Sequence, residues 1–293
     1  MAQFGVVIFP TDYAIAPAVL AQALEARGFE SLMVPEHTHI PASRRTPWPG
    51  GAELPREYWH CNDPFVALAT AASVTTTLKL GTGISLVTER DPILMAKQVA
   101  TLDHLSGGRF LLGVGAGWNV EEMASHGVDF ADRWKVLRER GLAMREIWTN
   151  DEAEFHGEFV DFEPLWSYPK PVQEGGPKVL LGASSKWAWQ RIADYADGWC
   201  PIYQNPDRAA AMGATDYAAG IRSTREAWAE AGRSGEPDFT MYGVPPQQDR
   251  VAEVIEMGFN RIVFGLPPAD ADTVMPLVDR YAEIAHALGS ETS

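Results

Sequence analysis

The amino-acid sequence predicts an eightfold β/α (TIM) barrel formed by one domain over residues 1–293. Short apolar runs typical of strands alternate eight times with longer segments of the 3.6-residue periodicity typical of helices. Alternation of this kind requires parallel strands, and eight strand–helix units close a barrel. A length of 293 residues is usual for one such domain. An open, doubly wound parallel sheet is the alternative that the pattern also allows.

Four strand–helix units occupy the first half of the chain. Gly28 is expected to end the first helix, because glycine readily adopts the left-handed conformation found there. Asp63–Pro64 and Asp91–Pro92 each open a helix with a capping carboxylate followed by proline at the first helical position. The predicted strands are Gln3–Phe9, Ser31–Val34, Leu78–Leu86 and Phe110–Gly115, and the helices are Ala16–Arg27, those opening at Asp63 and Asp91, and a helical segment reaching Thr149.

Four further units and two insertions complete the pattern. The loop Glu36–Asn62, rich in proline and carrying Trp48 and Trp59, follows strand 2. Its place after a strand puts it on the catalytic face of a barrel, where long loops are usually functional. The second insertion, Glu154–Pro177 before strand 5, reads as a hairpin turning at His156–Gly157. The remaining strands are Val179–Leu181, Gly198–Pro201, Phe239–Tyr242 and Arg261–Gly265, and their helices are Ser184–Tyr195, Asp207–Ala231, Gln247–Met257 and Asp272–Leu288.

Composition and charge exclude several classes of protein. The net charge is −15 and the pI is about 4.9, so the surface repels phosphate backbones and we expect no nucleic-acid partner. No apolar run approaches the roughly 20 residues of a membrane span, and the first residues do not resemble a signal peptide. Cys61 and Cys200 lie far apart and are read as free thiols of a reduced, cytoplasmic protein.

Candidate proton-transfer groups follow strand 2. Glu36 and His37 place a carboxylate beside an imidazole, and histidine titrates near neutral pH. They are the predicted catalytic residues. A purely structural role, with both side chains bonded to the backbone of the following loop, stays open.

Glycines mark the ends of strands 3 and 4. Gly81 and Gly83 weaken strand 3, which indicates a bulge, close helix packing or a flat ligand lying against the backbone. Strand 4 ends in a glycine-rich run through Gly117 to Trp118 that superficially resembles a dinucleotide-binding loop. The third glycine of that fingerprint is missing and the strand is fourth in order, so a Rossmann site is rejected.

Strand 5 ends in Gly182, Ala183, Ser184 and Ser185 and runs into a predicted helix. Small residues, hydroxyl groups and free helix N–H groups suit a phosphate. A serine serving only as an ordinary helix cap explains the same residues without a ligand.

Taken in order, these segments resemble the bacterial-luciferase-like superfamily, and within it the oxidoreductases that use the deazaflavin coenzyme F-420. The similarity runs from Phe4 to about Pro201. It is carried by an ordered series of motifs: Gly81-Thr82-Gly83-Ile84, Arg90-x-Pro92, Ala96-Lys97-Gln98, Ala100-Thr101-Leu102-Asp103, Leu105-Ser106-Gly107-Gly108-Arg109, Gly113-Val114-Gly115-Ala116-Gly117-Trp118 and Ala196-Asp197-Gly198-Trp199.

The resemblance implies a coenzyme site. A non-proline cis peptide would fall at Gly83–Ile84 against the coenzyme ring, and Glu36-His37 would lie beside the reacting ring carbon. The sugar-phosphate dehydrogenase branch has an acidic residue where this chain has Trp118, which argues against a sugar phosphate as substrate. The predicted coenzyme contacts are Gly83, Ile84, Gly115, Gly117, Trp118, Glu121, Gly182, Ala183, Ser184 and Ser185, the last four around the phosphate.

The resemblance predicts hydride transfer between the deazaflavin and a small organic substrate, in a possible homodimer. FMN fits the same barrel, so an FMN-dependent luciferase-like monooxygenase is the first alternative. Arg44, Arg45 and Arg56 favour the deazaflavin, whose polyglutamate tail needs cations, although arginines in a solvated loop need no such explanation.

Two hypotheses of other classes remain. A non-catalytic flavin-binding protein would keep the glycines and the phosphate site without needing Glu36-His37. A zinc hydrolase could use His37 and His39, but the ends of strands 4, 5 and 6 offer no further histidine, so we predict no metal site.

Overall fold

The computed structural model describes residues 2–51, 53–205, 209 and 213–290. Its parallel strands close into the predicted barrel. The barrel strands are β1 Gln3–Val7, β2 Ser31–Val34, β3 Lys79–Thr82 continued by β4 Ser85–Leu86, β5 Phe110–Gly115, β8 Val179–Leu181, β9 Gly198–Trp199, β10 Asp238–Val244 and β11 Arg261–Gly265. β3 pairs with both β2 and β5, and β1 pairs with both β2 and β11, so the ring of strands has no open edge.

Helices cover the outside of the barrel, and several begin where the sequence predicts. The carboxylates of Asp63 and Asp91 accept hydrogen bonds from the N–H groups of Val66 at 3.0 Å and Leu94 at 2.8 Å, as expected for N-caps. The helices are α1 Pro17–Ala26, α2 Pro64–Ala72, α3 Pro92–Ser106, α4 Val120–Ser125, α5 Arg133–Thr149, α6 Ala188–Tyr195, α7 Tyr217–Glu230, α8 Gln248–Glu256 and α9 Ala271–Ser290.

The apolar core of the barrel has two parts, and a third, small cluster of Met123, Val128 and Val136 lies at α4 and α5. The larger part lies between the outward faces of the strands and the helices. The smaller lies inside the barrel and is a cluster of Val7, Met33, Leu180, Cys200 and Val263. Because this inner cluster is built from few side chains, the upper part of the barrel is left for a cavity at the carboxyl ends of the strands.

A buried ion network closes the opposite, N-terminal end of the barrel. The guanidinium of Arg261 donates to Glu30 at 2.9 Å, to Asp238 at 2.7 Å and to the amide oxygen of Gln3 at 3.0 Å. These partners raise the pKa of Arg261 despite its burial. The network joins the starts of β1, β10 and β11, which separates a stabilising face from the face that carries the cavity.

Several predicted boundaries are wrong. Strand 3 breaks into β3 and β4 around Gly83–Ile84, and the helical segment after strand 4 is two helices. The helix after strand 5 begins at Ala188 and not at Ser184, because residues 184–187 form a turn. Helix α7 begins at Tyr217 behind the cap Asp216, not at Asp207. Residues 213–216 are not helical, and 207, 208 and 210–212 of that prediction lie outside the described residues.

The two insertions are where the sequence places them. Residues 36–51 and 53–62 belong to a loop, and these described residues contain one short 3-10 turn, Arg56–Tyr58. The hairpin β6 Ala153–His156 and β7 Asp161–Leu165 turns after His156, over residues 157–160. In the described part of the chain, no helix combines the length and the apolar character needed to cross a membrane.

Candidate functional site

A cavity of about 680 Å³ opens at the carboxyl ends of the barrel strands. It continues into a narrower branch of about 310 Å³ toward Trp48 and Cys200. Burial raises the pKa of the Cys200 thiol to about 12, so this wall carries no thiolate near neutral pH. The structure brings together most of the predicted residues here: Glu36, His37, Gly83, Ile84, Gly117, Trp118, Gly182, Ala183 and Ser184 all line the two spaces.

One wall of the cavity is the break between β3 and β4. The peptide between Gly83 and Ile84 is cis, which confirms the prediction. Neighbouring glycines make room for this wall. A Cβ on Gly115 would lie 1.8 Å from Cδ1 of Ile84, and one on Gly182 would lie 3.0 Å from Cγ2 of the same residue. The absence of a side chain at Gly115 therefore leaves space for the Ile84 side chain. Gly182, on the other side of Ile84, exposes its backbone to the cavity.

Glu36 holds this wall in place. Its buried carboxylate accepts hydrogen bonds from the hydroxyl of Ser85 and from the N–H of Leu86, the latter at 2.8 Å. The guanidinium of Arg90 donates to its other oxygen, with Nε at 2.6 Å, and reaches Asp63 as well. Both oxygens of Glu36 are thus engaged by groups of the protein itself.

His37 presents one ring nitrogen to the cavity. Its Nε2 lies 3.3 Å from Nε1 of Trp118, and its Nδ1 lies 2.8 Å from the carboxylate of Glu122. Because an indole N–H can only donate, Nε2 accepts and Nδ1 carries the proton that is donated to Glu122. The imidazole is therefore fixed in one orientation, with Nδ1 toward Glu122 and Nε2 toward Trp118.

Behind His37 lies a buried pair of carboxyl groups. Glu122 is fully buried and also accepts the N–H of Thr38 at 3.2 Å. Glu89 shares a hydrogen bond with Glu122, and its burial, together with the charges of Glu122 and Glu36, raises the pKa of Glu89 to about 9. Near neutral pH Glu89 therefore holds a proton and donates it to the Glu122 carboxylate.

Aromatic rings close the cavity on the side of the long loop. Tyr58 packs 5.1 Å from His37 and 6.3 Å from Trp118, measured between ring centroids. Trp48 lies edge-on to Tyr58 at 5.7 Å. With Tyr242 on the far wall, these rings form the apolar sides of a slot that a flat molecule could fill.

Three predicted coenzyme contacts lie beside the cavity rather than in the wall that the described residues form. Gly115 seats Ile84. Glu121 points to the long loop, where its carboxylate accepts from the hydroxyl of Thr46 at 2.6 Å and lies 3.3 Å from Arg45. Ser185 lies in the turn before α6, with its hydroxyl 3.5 Å from Nη1 of Arg191.

The sequence did not single out Glu122, Glu89 or Tyr58. Glu121 and Glu122 are adjacent in the first turn of α4, and only the packing of that turn shows which carboxylate reaches His37. The one available signal was the cap, since Asn119 accepts the N–H groups of both residues and so fixes the turn. Among the described residues, no group of three or more His, Cys, Asp or Glu side chains could hold a metal ion.

A model of the luciferase-like monooxygenase family matches residues 14–290 of the chain. The protein belongs to this family. An uncharacterized protein of Mycobacterium tuberculosis is 40% identical over 282 residues, which cover 95% of this chain and 97% of that one.

Solved structures share the fold of this luciferase-like protein at low sequence identity. The monooxygenase RslO1 from Streptomyces bottropensis has a TM-score of 0.79 at 17% identity, covering 97% of this chain and 99% of that one. An F420-dependent secondary alcohol dehydrogenase, solved with an F420–acetone adduct, has 0.73 at 18%, covering 97% and 98%. The oxygenating part of a Pseudomonas putida 3,6-diketocamphane monooxygenase, solved with FMN, has 0.61 at 19%, covering 83% and 67%. At these identities the likeness shows the fold alone.

Because Arg90 compensates the charge of the buried Glu36 carboxylate, Arg90→Met should strongly reduce the stability of this luciferase-like protein. The change leaves a buried carboxylate without its cation, which typically reduces the free energy of unfolding by about 3–5 kcal/mol. Denaturant unfolding measures the loss. The matched control is Arg250→Met, which removes an exposed pair with Glu253 at 3.0 Å and should change stability by less than about 1 kcal/mol. Equal losses in the two variants would show that Glu36 does not depend on Arg90.

Proposed function

We propose that this luciferase-like protein is an oxidoreductase that transfers a hydride between the deazaflavin coenzyme F-420 and a small, uncharged organic substrate. The observation that carries the proposal is His37, which lines an apolar slot at the carboxyl ends of the strands and has its Nδ1 bonded to Glu122 and its Nε2 to the N–H of Trp118. Hydride transfer to or from a carbon–oxygen bond is accompanied by a proton, and a histidine of this kind can hold or accept it.

The slot fits a flat tricyclic ring. Gly83, Gly117, Gly182 and Gly243 all line the cavity, so a ring can approach the backbone on several sides. Ile84 supplies an apolar face, and the aromatic rings of the long loop cover the opening. A bound deazaflavin supplies the hydride chemistry, and the protein contributes orientation and exclusion of water.

We propose separate tasks for the two predicted catalytic residues. His37 is the group that holds or accepts a proton at Nε2, because His37 lines the cavity and Nε2 is the ring nitrogen that is not bonded to Glu122. Glu36 is a positioning residue, because its oxygens are engaged by Ser85, Leu86 and Arg90 and it fixes the wall beside the ring. The phosphate of the coenzyme is proposed to lie at Gly182–Ser185, where small side chains and two hydroxyl groups follow β8.

Basic residues near that segment favour the deazaflavin over FMN. Trp134 lines both the cavity and an adjacent surface cleft of about 560 Å³, whose basic side chains are Lys135, Arg138 and Arg191. Arg191 also approaches Ser185, so a long anionic tail leaving the phosphate site would meet cations in a protein of net charge −15.

The arginines of the long loop support the deazaflavin less directly. Arg45 pairs with Glu121, and Arg56 donates to His60 at 3.1 Å and packs over Tyr13. FMN, with a single phosphate and no such tail, remains the second candidate coenzyme, and the match to a family of monooxygenases keeps FMN-dependent oxygenation as the second candidate function.

Placing negative charge at the proposed phosphate site should weaken coenzyme binding. The double variant Ser184→Asp/Ser185→Asp sets two carboxylates against the phosphate, and each should reduce the binding free energy by about 1 kcal/mol or more. Equilibrium titration with F-420 and, separately, with FMN measures the effect, and Ser184→Ala/Ser185→Ala is the uncharged control. We expect F-420 to bind the parent protein more tightly than FMN. Undiminished affinity in the aspartate variant would place the phosphate elsewhere.

Replacing His37 by Asn should slow the chemical step without abolishing coenzyme binding. Asparagine retains most of the volume and some hydrogen bonding but does not titrate near neutral pH. Loss of a proton-transfer group typically slows the reaction by about 10²–10⁴-fold. Single-turnover hydride transfer measures the rate, with coenzyme affinity and melting temperature recorded alongside. An unchanged rate in a stable, coenzyme-saturated variant would remove His37 from the mechanism.

A further inference from the structure

A second opening lies on the outer side of the barrel wall, behind the carboxyl pair. It is a cleft of about 400 Å³ between the end of β4, helix α5 and the hairpin, and its lining includes Glu89, His126 and Arg140. The cleft is separated from the main cavity by Glu122 and His37. Ionisable side chains therefore extend from this outer cleft to the main cavity.

Two buried atoms at this cleft have no hydrogen-bond partner among the described residues. They are Oε2 of Glu89 and Nε of Arg140. Arg140 is otherwise held by a bond from Nη1 to the carbonyl of Val87 at 3.0 Å. Buried polar atoms are nearly always paired, so an unpaired carboxyl oxygen facing a titratable neighbour indicates a functional task.

That neighbour is His126. Its Nε2 lies 3.9 Å from Oε2 of Glu89, and its side chain is 28% exposed. The separation is longer than a hydrogen bond but is spanned by a small side-chain rotation or by one water molecule. The continuous series is therefore His126, Glu89, Glu122 and His37, with one end at solvent and the other at the cavity.

We propose that Glu89 relays protons between the outer cleft and His37, through Glu122. The inference rests on the proposed function, in which Nε2 of His37 holds or accepts a proton. Glu89 acts through another residue and is thus a positioning residue for proton transfer. The relay lets the proton on His37 be exchanged while a coenzyme and a substrate close the cavity from above.

The proton count balances along the series. A proton accepted at Nε2 of His37 is followed by transfer of the Nδ1 proton to Glu122. The carboxyl group of Glu89 then turns to bring its own proton to His126, which passes it to solvent, and Glu89 takes the proton of Glu122 in its place. The carboxyl pair ends with one proton, as it began, and His37 ends neutral with its proton on Nε2. The starting tautomer returns when Nε2 gives its proton to the cavity and the series runs in the opposite direction, so that solvent supplies a proton to Nδ1 through His126, Glu89 and Glu122. The N–H of Trp118 that faces Nε2 favours this tautomer.

The charges around Glu89 support this role. Glu122 on α4 and Glu36 after β2 disfavour its ionised form, while the charge of Arg90 is shared between Glu36 and Asp63. On the outer side, burial and the nearby His39 lower the pKa of His126. Nε2 of His126 also lies 2.8 Å from the hydroxyl of Thr38, and it can accept a proton when that hydroxyl donates to Nδ1 of His39, 2.9 Å away. The cation of Arg140 faces the same cleft and stabilises a carboxylate formed transiently on Glu89.

The direct test is the rate at which the Nδ1 proton of His37 exchanges with water in the coenzyme-free protein, measured by NMR on ¹⁵N-histidine-labelled samples. Glu89→Gln keeps a hydrogen bond to Glu122 but cannot relay a proton, and it should slow the exchange by about tenfold or more. His126→Ala should also slow it, and imidazole added to the buffer should restore the rate by occupying the cleft. Glu25→Gln, at a carboxylate far from the site, should leave it unchanged.

Exchange as fast in Glu89→Gln as in the parent protein would overturn the relay. If that variant does not fold, exchange unchanged in His126→Ala, or slowed there without rescue by imidazole, would overturn it instead. Because no coenzyme is present, these results are independent of hydride transfer. A protein that relays protons but transfers no hydride would contradict the proposed function alone, and an active protein without the relay would contradict this inference alone.

The melting temperature as a function of pH checks that Glu89 holds the proton. Its pKa of about 9 in the folded protein is raised from 4.5, so the folded state binds the extra proton between these values. Stability is therefore lost as the pH rises from 6 to 9, with the unfolding equilibrium changing by up to about tenfold per pH unit. The melting temperature of the parent protein should fall relative to that of Glu89→Gln over this range.

Glu25→Gln is the control, and its melting temperature should change with pH in parallel with that of the parent protein. The reason is that hydrogen bonds from Thr77 and its neighbours lower the pKa of Glu25 to about 2. A parent curve parallel to that of Glu89→Gln would show that Glu89 is ionised and would contradict the relay.

Discussion

The candidate site depends on the hydrogen bonds and the ion pair made by one buried carboxylate, that of Glu36. Glu36 follows β2 and accepts hydrogen bonds from Ser85 and Leu86, the two residues of β4. Arg90 compensates its charge and ties the cluster to the start of α2 through Asp63. Because Ile84 immediately precedes Ser85, these contacts set the position of the apolar wall. His37 follows Glu36 directly, so the same anchor also positions the imidazole.

The ionisable groups that surround His37 lie behind the wall of the cavity. Nδ1 of His37 donates to the Glu122 carboxylate, and Glu122 is itself bonded to the protonated Glu89. The pair carries one negative charge and one proton behind the wall of the cavity. The wall that faces a coenzyme can therefore stay apolar, while ionisable groups lie behind it. This division resembles the wider arrangement of the barrel, whose other end is held by the Arg261 network.

The sequence predicted the barrel well because its signals are local. Alternating periodicities, the caps at Asp63 and Asp91, and the glycines at the strand ends each depend on neighbouring residues. It failed at Ser184, since small residues and hydroxyl groups suit a loop as well as a helix cap. The choice between Glu121 and Glu122 depended on the packing of one helical turn, and the partnership with Glu89 joins residues 33 positions apart. Contacts of that kind are decided by tertiary structure.

The central claim is that a coenzyme ring lies on Ile84 with His37 beside it. It is tested most directly by intermolecular NOEs between the aromatic protons of bound F-420 and the protein, with isoleucine and leucine methyl groups labelled. We expect NOEs to the Cδ1 methyl group of Ile84 and to the ring of His37, both of which line the cavity. NOEs only to residues outside the barrel mouth, such as the exposed Leu94 on α3, would contradict it.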